Sequence, residues 1–283
     1  MGLIIAFSLF AAGSTAAYSI SSELFAQYPF LLAALYLILL FLAGFLAAFL
    51  IFYFVQLIIS LFLDGGKSAD KPRPYCVWAM VQTAELICFF CRLRIHVTGE
   101  ELLPSDTRYL FVSNHRSNLD PIIVMNRLQA QHIAFVSKPS NMKIPIVGSF
   151  VRQCCFLPID RENARNAVAT INAAADYLKK GTVSVGIYPE GTRSKSENML
   201  PFHAGSFKIA QKAGAPVVVA AVRGTEKAHS GFPRMTDVYI EIIGVIDADE
   251  AGNTKTVDMA EKVEKMIAAH IRQYGDHPDE QKN

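Results

Sequence analysis

The chain has 283 residues, 52% of them hydrophobic, and a formal net charge of +2. That balance is mildly basic, but it forms no dense basic stripe with interleaved aromatics, which excludes a nucleic-acid-binding surface. The hydrophobic excess is unevenly spread, and its distribution divides the chain.

Up to residue 63 there is one charged residue, Glu23, and the next is Asp64. Pro29 to Leu63 is an apolar run with a single amide, Gln56. A spanning helix needs roughly 20 such residues, so this stretch can cross a bilayer with length left for tilt or for an extension in the interface. A buried core helix of this length would carry a polar face. Residues 3–20 are a second candidate span, interrupted by Gly13, Ser14 and Thr15. A cleaved signal peptide is the competing reading, though the cationic leading region of such a peptide is missing. Residues 1–63 are therefore expected to form a membrane anchor of one or two transmembrane helices. Lys67, Lys71 and Arg73 follow the long run and no Lys or Arg precedes it, so the positive-inside rule places the remainder on the cytoplasmic face. That remainder holds all 27 Lys and Arg and 23 of the 25 Asp and Glu, a net of +4, which suits a domain resting on an anionic leaflet.

Residues 64–75 are rich in Gly, Pro and charge and read as a linker. Residues 76–91 form an apolar helix, packed on the domain or dipped into the membrane surface. From Arg92 the pattern alternates, with β-rich runs at 92–98, 109–113, 132–137, 154–159, 183–188, 217–222 and 237–246. The clearest intervening helix is 162–180. It places Ala164, Val168, Ile171, Ala175 and Leu178 on one face, with Asp160 as its cap and Gly181 as its stop. A last helix covers about 254–273, and 275–283 is a polar, flexible tail. Strands alternating with helices predict an α/β domain over 76–274: a largely parallel sheet flanked by helices, with ligands gathered at the carboxyl ends of the strands. The five cysteines sit in apolar stretches, as in a reducing compartment. The Cys88-x-x-Cys91 spacing lacks the second pair or nearby histidine that a zinc site requires, so no metal is expected.

The chemistry gathers in four blocks, three of them with charged residues at the end of an apolar strand. Residues 114–121 read Asn-His-Arg-Ser-Asn-Leu-Asp-Pro, directly after Tyr109–Ser113. His115 is the residue type suited to move a proton at neutral pH, and Asp120 is placed to orient it and stabilise its cation. No serine or cysteine in the block is obviously placed as a nucleophile, so the pair is suited to activating a hydroxyl that a substrate supplies. Phe156–Arg161 delivers an arginine to a strand end and a helix start, an anion site; a surface salt bridge with Glu162 is the alternative. Gly186-Ile-Tyr-Pro-Glu-Gly-Thr-Arg-Ser194 ends a strand in a tight turn that exposes Glu190, Thr192, Arg193 and Ser194 together. Glu190 there holds Arg193 or meets a substrate hydroxyl. Gly214–Val222 has no ionisable group and reads as a central strand that walls an acyl chain. Lys138, after another strand, is placed to take a phosphate, with a solvated lysine as the alternative.

Asn-His-x4-Asp, Phe-x-x-Ile-Asp-Arg, Tyr-Pro-Glu-Gly-Thr-Arg-Ser and Ala-Pro-Val-Val-Val, in this order over roughly 92–245, resemble the four signature blocks of the glycerolipid acyltransferase family, whose best-known members are 1-acylglycerol-3-phosphate O-acyltransferases. The resemblance implies His115 as general base and Asp120 as its partner. It implies Arg161, Glu190, Gly191 and Arg193 as parts of a glycerol-phosphate site, to which the sequence reading adds Asn114, Lys138 and Thr192; Pro216 matches the proline of the fourth block. Tyr188 stands where Phe is usual, and Leu157-Pro158 break up the second block. The implied reaction is direct acyl transfer from acyl-CoA or acyl-carrier protein to the sn-2 hydroxyl of lysophosphatidate among membrane phospholipids, with no cofactor. The alternatives are acylation of glycerol 3-phosphate or another lysolipid, and a metal-dependent hydrolase using His115, Asp120 and a further histidine such as His203.

Overall fold

The structure is a computed structural model that describes residues 2–24, 28–63, 66–160, 163–194, 198–228 and 233–274. The chain divides into two compact units, Met1–Asp64 and Gly65–Asn283.

In the first unit, α1 (Gly2–Ser21) and α2 (Phe30–Phe62) are both long and apolar enough to cross a membrane. At 1.5 Å per residue α2 is about 50 Å long, well beyond a hydrocarbon core of about 30 Å. Phe7 meets Phe45 and Phe52 edge-on, at centroid distances of 5.7 and 6.0 Å. Most of the exposed surface of these helices is apolar, Leu31, Leu61 and Phe62 included. A helix that is hydrophobic all round without being buried points to membrane association.

The second unit is built on seven strands: β1 (Leu93–Thr98), β2 (Leu110–Ser113), β3 (Ile133–Ser137), β4 (Leu157–Pro158), β5 (Ser184–Ile187), β6 (Val217–Arg223) and β7 (Thr236–Ile246). They form one sheet in the order β1-β7-β6-β2-β5-β3-β4. Every neighbouring pair is parallel except β6–β7. The helices are α3 (Pro74–Phe90), α4 (Asp120–Arg127), α5 (Val147–Gln153), α6 (Ala164–Lys179), α7 (Lys208–Ala213), α8 (Ala248–Asn253) and α9 (Thr256–Tyr274). All residues of β2, β5 and β6 are buried, the reason their sequences are largely apolar runs rather than alternating ones. Val112 of β2 pairs with Ile187 of β5 on one side and Val219 of β6 on the other. The chain leaves β2 toward β3 and β4, and β6 and β7 fill the opposite half. The carboxyl end of β2 is thus a point where strand order reverses, the place where open α/β sheets bind ligands.

Several expectations are corrected. The strand expected over 154–159 shrinks to Leu157–Pro158, because Cys154 caps α5 and Cys155 turns the chain with a left-handed φ of +65°. The cysteine pair therefore lies in a turn, and Pro158 is tolerated because β4 is an edge strand. The cap of α6 is Asn163, whose side chain accepts from the Asn166 N–H, not Asp160. Of the expected face of α6, Ala175 and Leu178 are buried, joined by Ala174 and Tyr177, but Val168 is exposed. The last helix, expected over about 254–273, is α9; a short helix that the sequence reading did not expect, α8, precedes it, set off by extended backbone at Thr254. Within the expected linker, the N–H groups of Ala69 and Arg73 donate to the carbonyls of Arg152 and Gln153, at 2.9 Å each, so this stretch is tied to the domain.

Candidate active site

β2 carries the chain to Ser113, and the 114–119 turn then folds back on α4. Asp120, the first residue of α4, is fully buried. Its Oδ2 accepts from the backbone N–H of Arg116 (2.8 Å) and of Ser117 (2.9 Å), and lies 2.7 Å from His115 Nδ1. Three contacts on one oxygen fix both the carboxylate and the tautomer: with Nδ1 engaged by Asp120, Nε2 is the nitrogen left for proton transfer. His115 is only partly buried. Among the described residues, no serine, threonine or cysteine side chain hydrogen-bonds its ring.

The loop after β5 braces this histidine at both ends of its backbone. The His115 N–H donates to Glu190 Oε1 at 2.6 Å, and the Ser194 N–H donates to the His115 carbonyl at 2.9 Å. Glu190 Oε2 accepts from the Leu200 N–H at 2.8 Å. Glu190 is 3% exposed. Burial pushes its carboxyl up from the ordinary range, while the donations from Leu200 and His115 pull it down. The expectation that Glu190 holds Arg193 is corrected: its two oxygens accept from the backbone N–H groups of His115 and Leu200. Gly191 makes the turn possible with φ +77° and a donation from its N–H to the Tyr188 carbonyl; a side chain there would be strained. Thr192 and Arg193 emerge from the turn exposed.

Asn114 also bonds the scaffold. Its amide donates to the Val222 carbonyl and accepts from the Val222 N–H, both at 2.8 Å, in a buried position. It locks the end of β2 to β6 and so sets where His115 begins. Lys138 is exposed at the carboxyl end of β3. Two strand spacings separate β3 from β2, about 10 Å. Arg161 lies outside the described residues. The 116–119 turn also spends its own donors: Arg116 and Ser117 N–H on Asp120, and Leu119 N–H on Ser117 Oγ at 3.2 Å. These groups are not free to stabilise an oxyanion.

One contributor escaped the sequence reading. Tyr188 stacks on the His115 ring, centroids 4.2 Å apart and planes at 15°, and Phe135 of β3 stacks on Tyr188 at 5.4 Å and 8°. Phe135 can reach this position because β5 carries Gly186; a Cβ there would lie 2.5 Å from the Phe135 ring. The signal was present as a lone glycine inside an apolar strand, which marks close approach. Among the described residues, no group of three or more His, Cys, Asp or Glu is placed to hold a metal ion.

Comparison with known proteins agrees with this geometry. The family profile described as Acyltransferase matches residues 94–223, the span that holds the dyad and the turn after β5. The chain is 31% identical over 165 residues to the 1-acyl-sn-glycerol-3-phosphate acyltransferase of Salmonella typhimurium, covering 58% of this chain and 63% of that protein. It is 29% identical to the enzyme of the same name from Saccharomyces cerevisiae, covering 66% of this chain and 62% of that one. The chain thus spans a little under two thirds of the length of these relatives. The crystal structure of the 1-acyl-sn-glycerophosphate acyltransferase PlsC from Thermotoga maritima superimposes with a TM-score of 0.59 at 25% identity, covering 70% of this chain and 78% of that one.

Proposed function

We propose that the chain is a member of the glycerolipid acyltransferase family, an O-acyltransferase that moves an acyl chain from a thioester, acyl-CoA or acyl-carrier protein, to the sn-2 hydroxyl of a 1-acylglycerol 3-phosphate, giving phosphatidate. The observation that carries this is a base held in one tautomer, at 2.7 Å from a buried carboxylate, with no serine, threonine or cysteine among the described residues bonded to the ring. Such a pair fits a nucleophile that arrives with the substrate. His115 Nε2 takes the proton of the lipid hydroxyl as its oxygen attacks the thioester carbonyl. Asp120 stabilises the imidazolium. The carbon–sulfur bond then breaks, and His115 returns the proton to the leaving thiolate.

Arg193 and Thr192, exposed after β5, and Lys138, exposed after β3, are the phosphate ligands in this reading, joined by Arg161 on the strength of the family resemblance. Holding the phosphate positions the hydroxyl at the base. Residues 1–63 anchor the enzyme where its substrate and product reside, with the catalytic domain on the cytoplasmic face. The test is the purified protein in detergent given lysophosphatidate with acyl-CoA and, separately, with acyl-carrier protein, beside His115→Ala. Donor-dependent phosphatidate from wild type and none from the variant is expected. Absence of acylation of lysophosphatidate with either donor overturns the activity, and a variant that keeps most of its rate overturns the mechanism.

A further inference from the structure

Two polar atoms in the site have no partner among the described residues although both are buried: the Tyr188 hydroxyl and Asp120 Oδ1. Native cores leave few such atoms, and each calls for a reason. They belong to neighbours in one assembly. Tyr188 lies flat on the imidazole whose Nδ1 holds the other oxygen of Asp120. The Asp120 charge is felt at the Tyr188 hydroxyl, which burial and that charge together keep protonated and hence a donor. In the third block of resemblance to the acyltransferase family this place is usually Phe, so the hydroxyl is a departure that the stack alone does not require.

We propose that Tyr188 is a positioning residue for the His–Asp pair: its hydroxyl donates, across a single bound water, to Asp120 Oδ1, while its ring face holds the imidazole plane. Oδ2 is already saturated by His115, Arg116 and Ser117. A donor on Oδ1 therefore fixes the one remaining freedom of the carboxylate, rotation about its bond to Cβ. A site with one phenol and one carboxylate oxygen offers a water the two partners it needs. The ring supplies a second effect, because an aromatic face stabilises the imidazolium that forms during transfer. The other charged groups around the imidazole are Glu190, through the His115 backbone, and Arg116, which lies near Glu226. None of them is altered in the test below.

The proposal rests on the acyltransferase reading for its kinetic arm only. Tyr188→Phe keeps the stack and removes the hydroxyl, and Phe is a residue this loop accepts elsewhere in the family. The measurements are kcat and KM for lysophosphatidate, the pH profile of kcat/KM, and the pH dependence of diethylpyrocarbonate modification at His115, read by mass spectrometry in the resting protein. Losing a donor leaves more negative charge on Asp120 to favour the imidazolium. The acidic limb of the profile and the modification midpoint should therefore both move to higher pH by roughly half a unit to one unit, with kcat down roughly fivefold and KM unchanged. Tyr188→Leu, which also removes the ring, should lower kcat further. An unmoved midpoint in Tyr188→Phe overturns the proposal, whether or not kcat falls, because a merely structural role would lower the rate without moving it. If wild type transfers no acyl group but the modification midpoint moves, the activity fails and the positioning role stands.

Discussion

Asp120→Asn isolates the charge of the pair from its shape. Asparagine is nearly isosteric, and its carbonyl can occupy the Oδ2 place, keeping the bonds from the Arg116 and Ser117 N–H groups and from His115 Nδ1. The NH2 then takes the Oδ1 place, where no protein group bonds directly; the water proposed between it and Tyr188 turns to accept from the amide. What disappears is one negative charge whose nearest oxygen is 2.7 Å from the ring and which is shielded from water. Two unit charges about 4 Å apart at an effective dielectric near 20 interact by about 4 kcal/mol. That stabilisation exists only once the imidazole is protonated, so it belongs to the transition state and not to the resting enzyme. About 4 kcal/mol is roughly three powers of ten in rate. The assay is thiol release from acyl-CoA at saturating lysophosphatidate, with KM and the apparent Tm in detergent measured beside it. The expected outcome is kcat down roughly a thousandfold, KM within about threefold, and Tm within about 4 °C, since the retained bonds hold the loop. A variant that keeps a tenth or more of wild-type kcat refutes the electrostatic role. A loss of rate matched by a collapse in Tm would instead mean that Asp120 acts as a scaffold residue.

Glu190→Ala leaves the His115 and Leu200 N–H groups without acceptors and should cost about 2–4 kcal/mol, seen as a lower Tm with reduced kcat; a raised KM at unchanged Tm would instead support the substrate-contact role. Glu190→Gln keeps one acceptor but sets its NH2 against the other backbone N–H, so it should cost about 1–3 kcal/mol; burial raises the Glu190 carboxyl above its ordinary 4.5, so its contribution to stability is full below 4.5 and is lost as pH rises through the raised value, a pH dependence that glutamine lacks and that urea titrations at several pH values would show. Gly186→Ala puts a methyl 2.5 Å from the Phe135 ring, which should cost about 1–3 kcal/mol by overpacking and lower kcat by displacing Tyr188; wild-type kinetics would show that the stack is dispensable. Burial pushes the Cys88 thiol up to about 12 and that of Cys155 to about 11, so neither should react with maleimide at pH 7.5 within an hour, and mass spectrometry of the labelled native protein checks it.

The sheet was legible because its inner strands are buried on both faces, so β2, β5 and β6 print as runs dominated by Val, Ile, Leu, Ala and Phe, broken only by Ser113, Ser184, Gly186 and Arg223. The failures fall where a local geometric choice overrides composition. Cys154, Cys155 and Phe156 are as apolar as a strand, but a left-handed residue at Cys155 spends them on a turn. Val168 fits the helical period of α6, yet only the carboxyl half of that helix lies over the core. Asn163 outcompetes Asp160 as cap because its side chain reaches an N–H three residues ahead. None of these choices has a compositional signature, since each depends on what the neighbouring element leaves uncovered.

The same limit explains the site. A sequence reveals polar residues gathered at strand ends, but not whether a polar group is spent on the scaffold or kept for a ligand. Here the division is sharp. Asn114 is closed by Val222, Glu190 by His115 and Leu200, and three N–H groups of the 116–119 turn by Asp120 and Ser117. These residues convert two loops from different strands into one rigid frame around a single imidazole. A frame of this kind follows from the chemistry. A base that must meet a hydroxyl carried by a mobile lipid gains from being immobile itself, because a displacement of about 1 Å can cost a hundredfold in rate. The groups left exposed, Lys138, Thr192 and Arg193, are the long or small polar side chains that tolerate adjustment and suit a phosphate arriving from a membrane. In the proposed acyl transfer, rigid residues hold the base, and adaptable ones are assigned to the substrate.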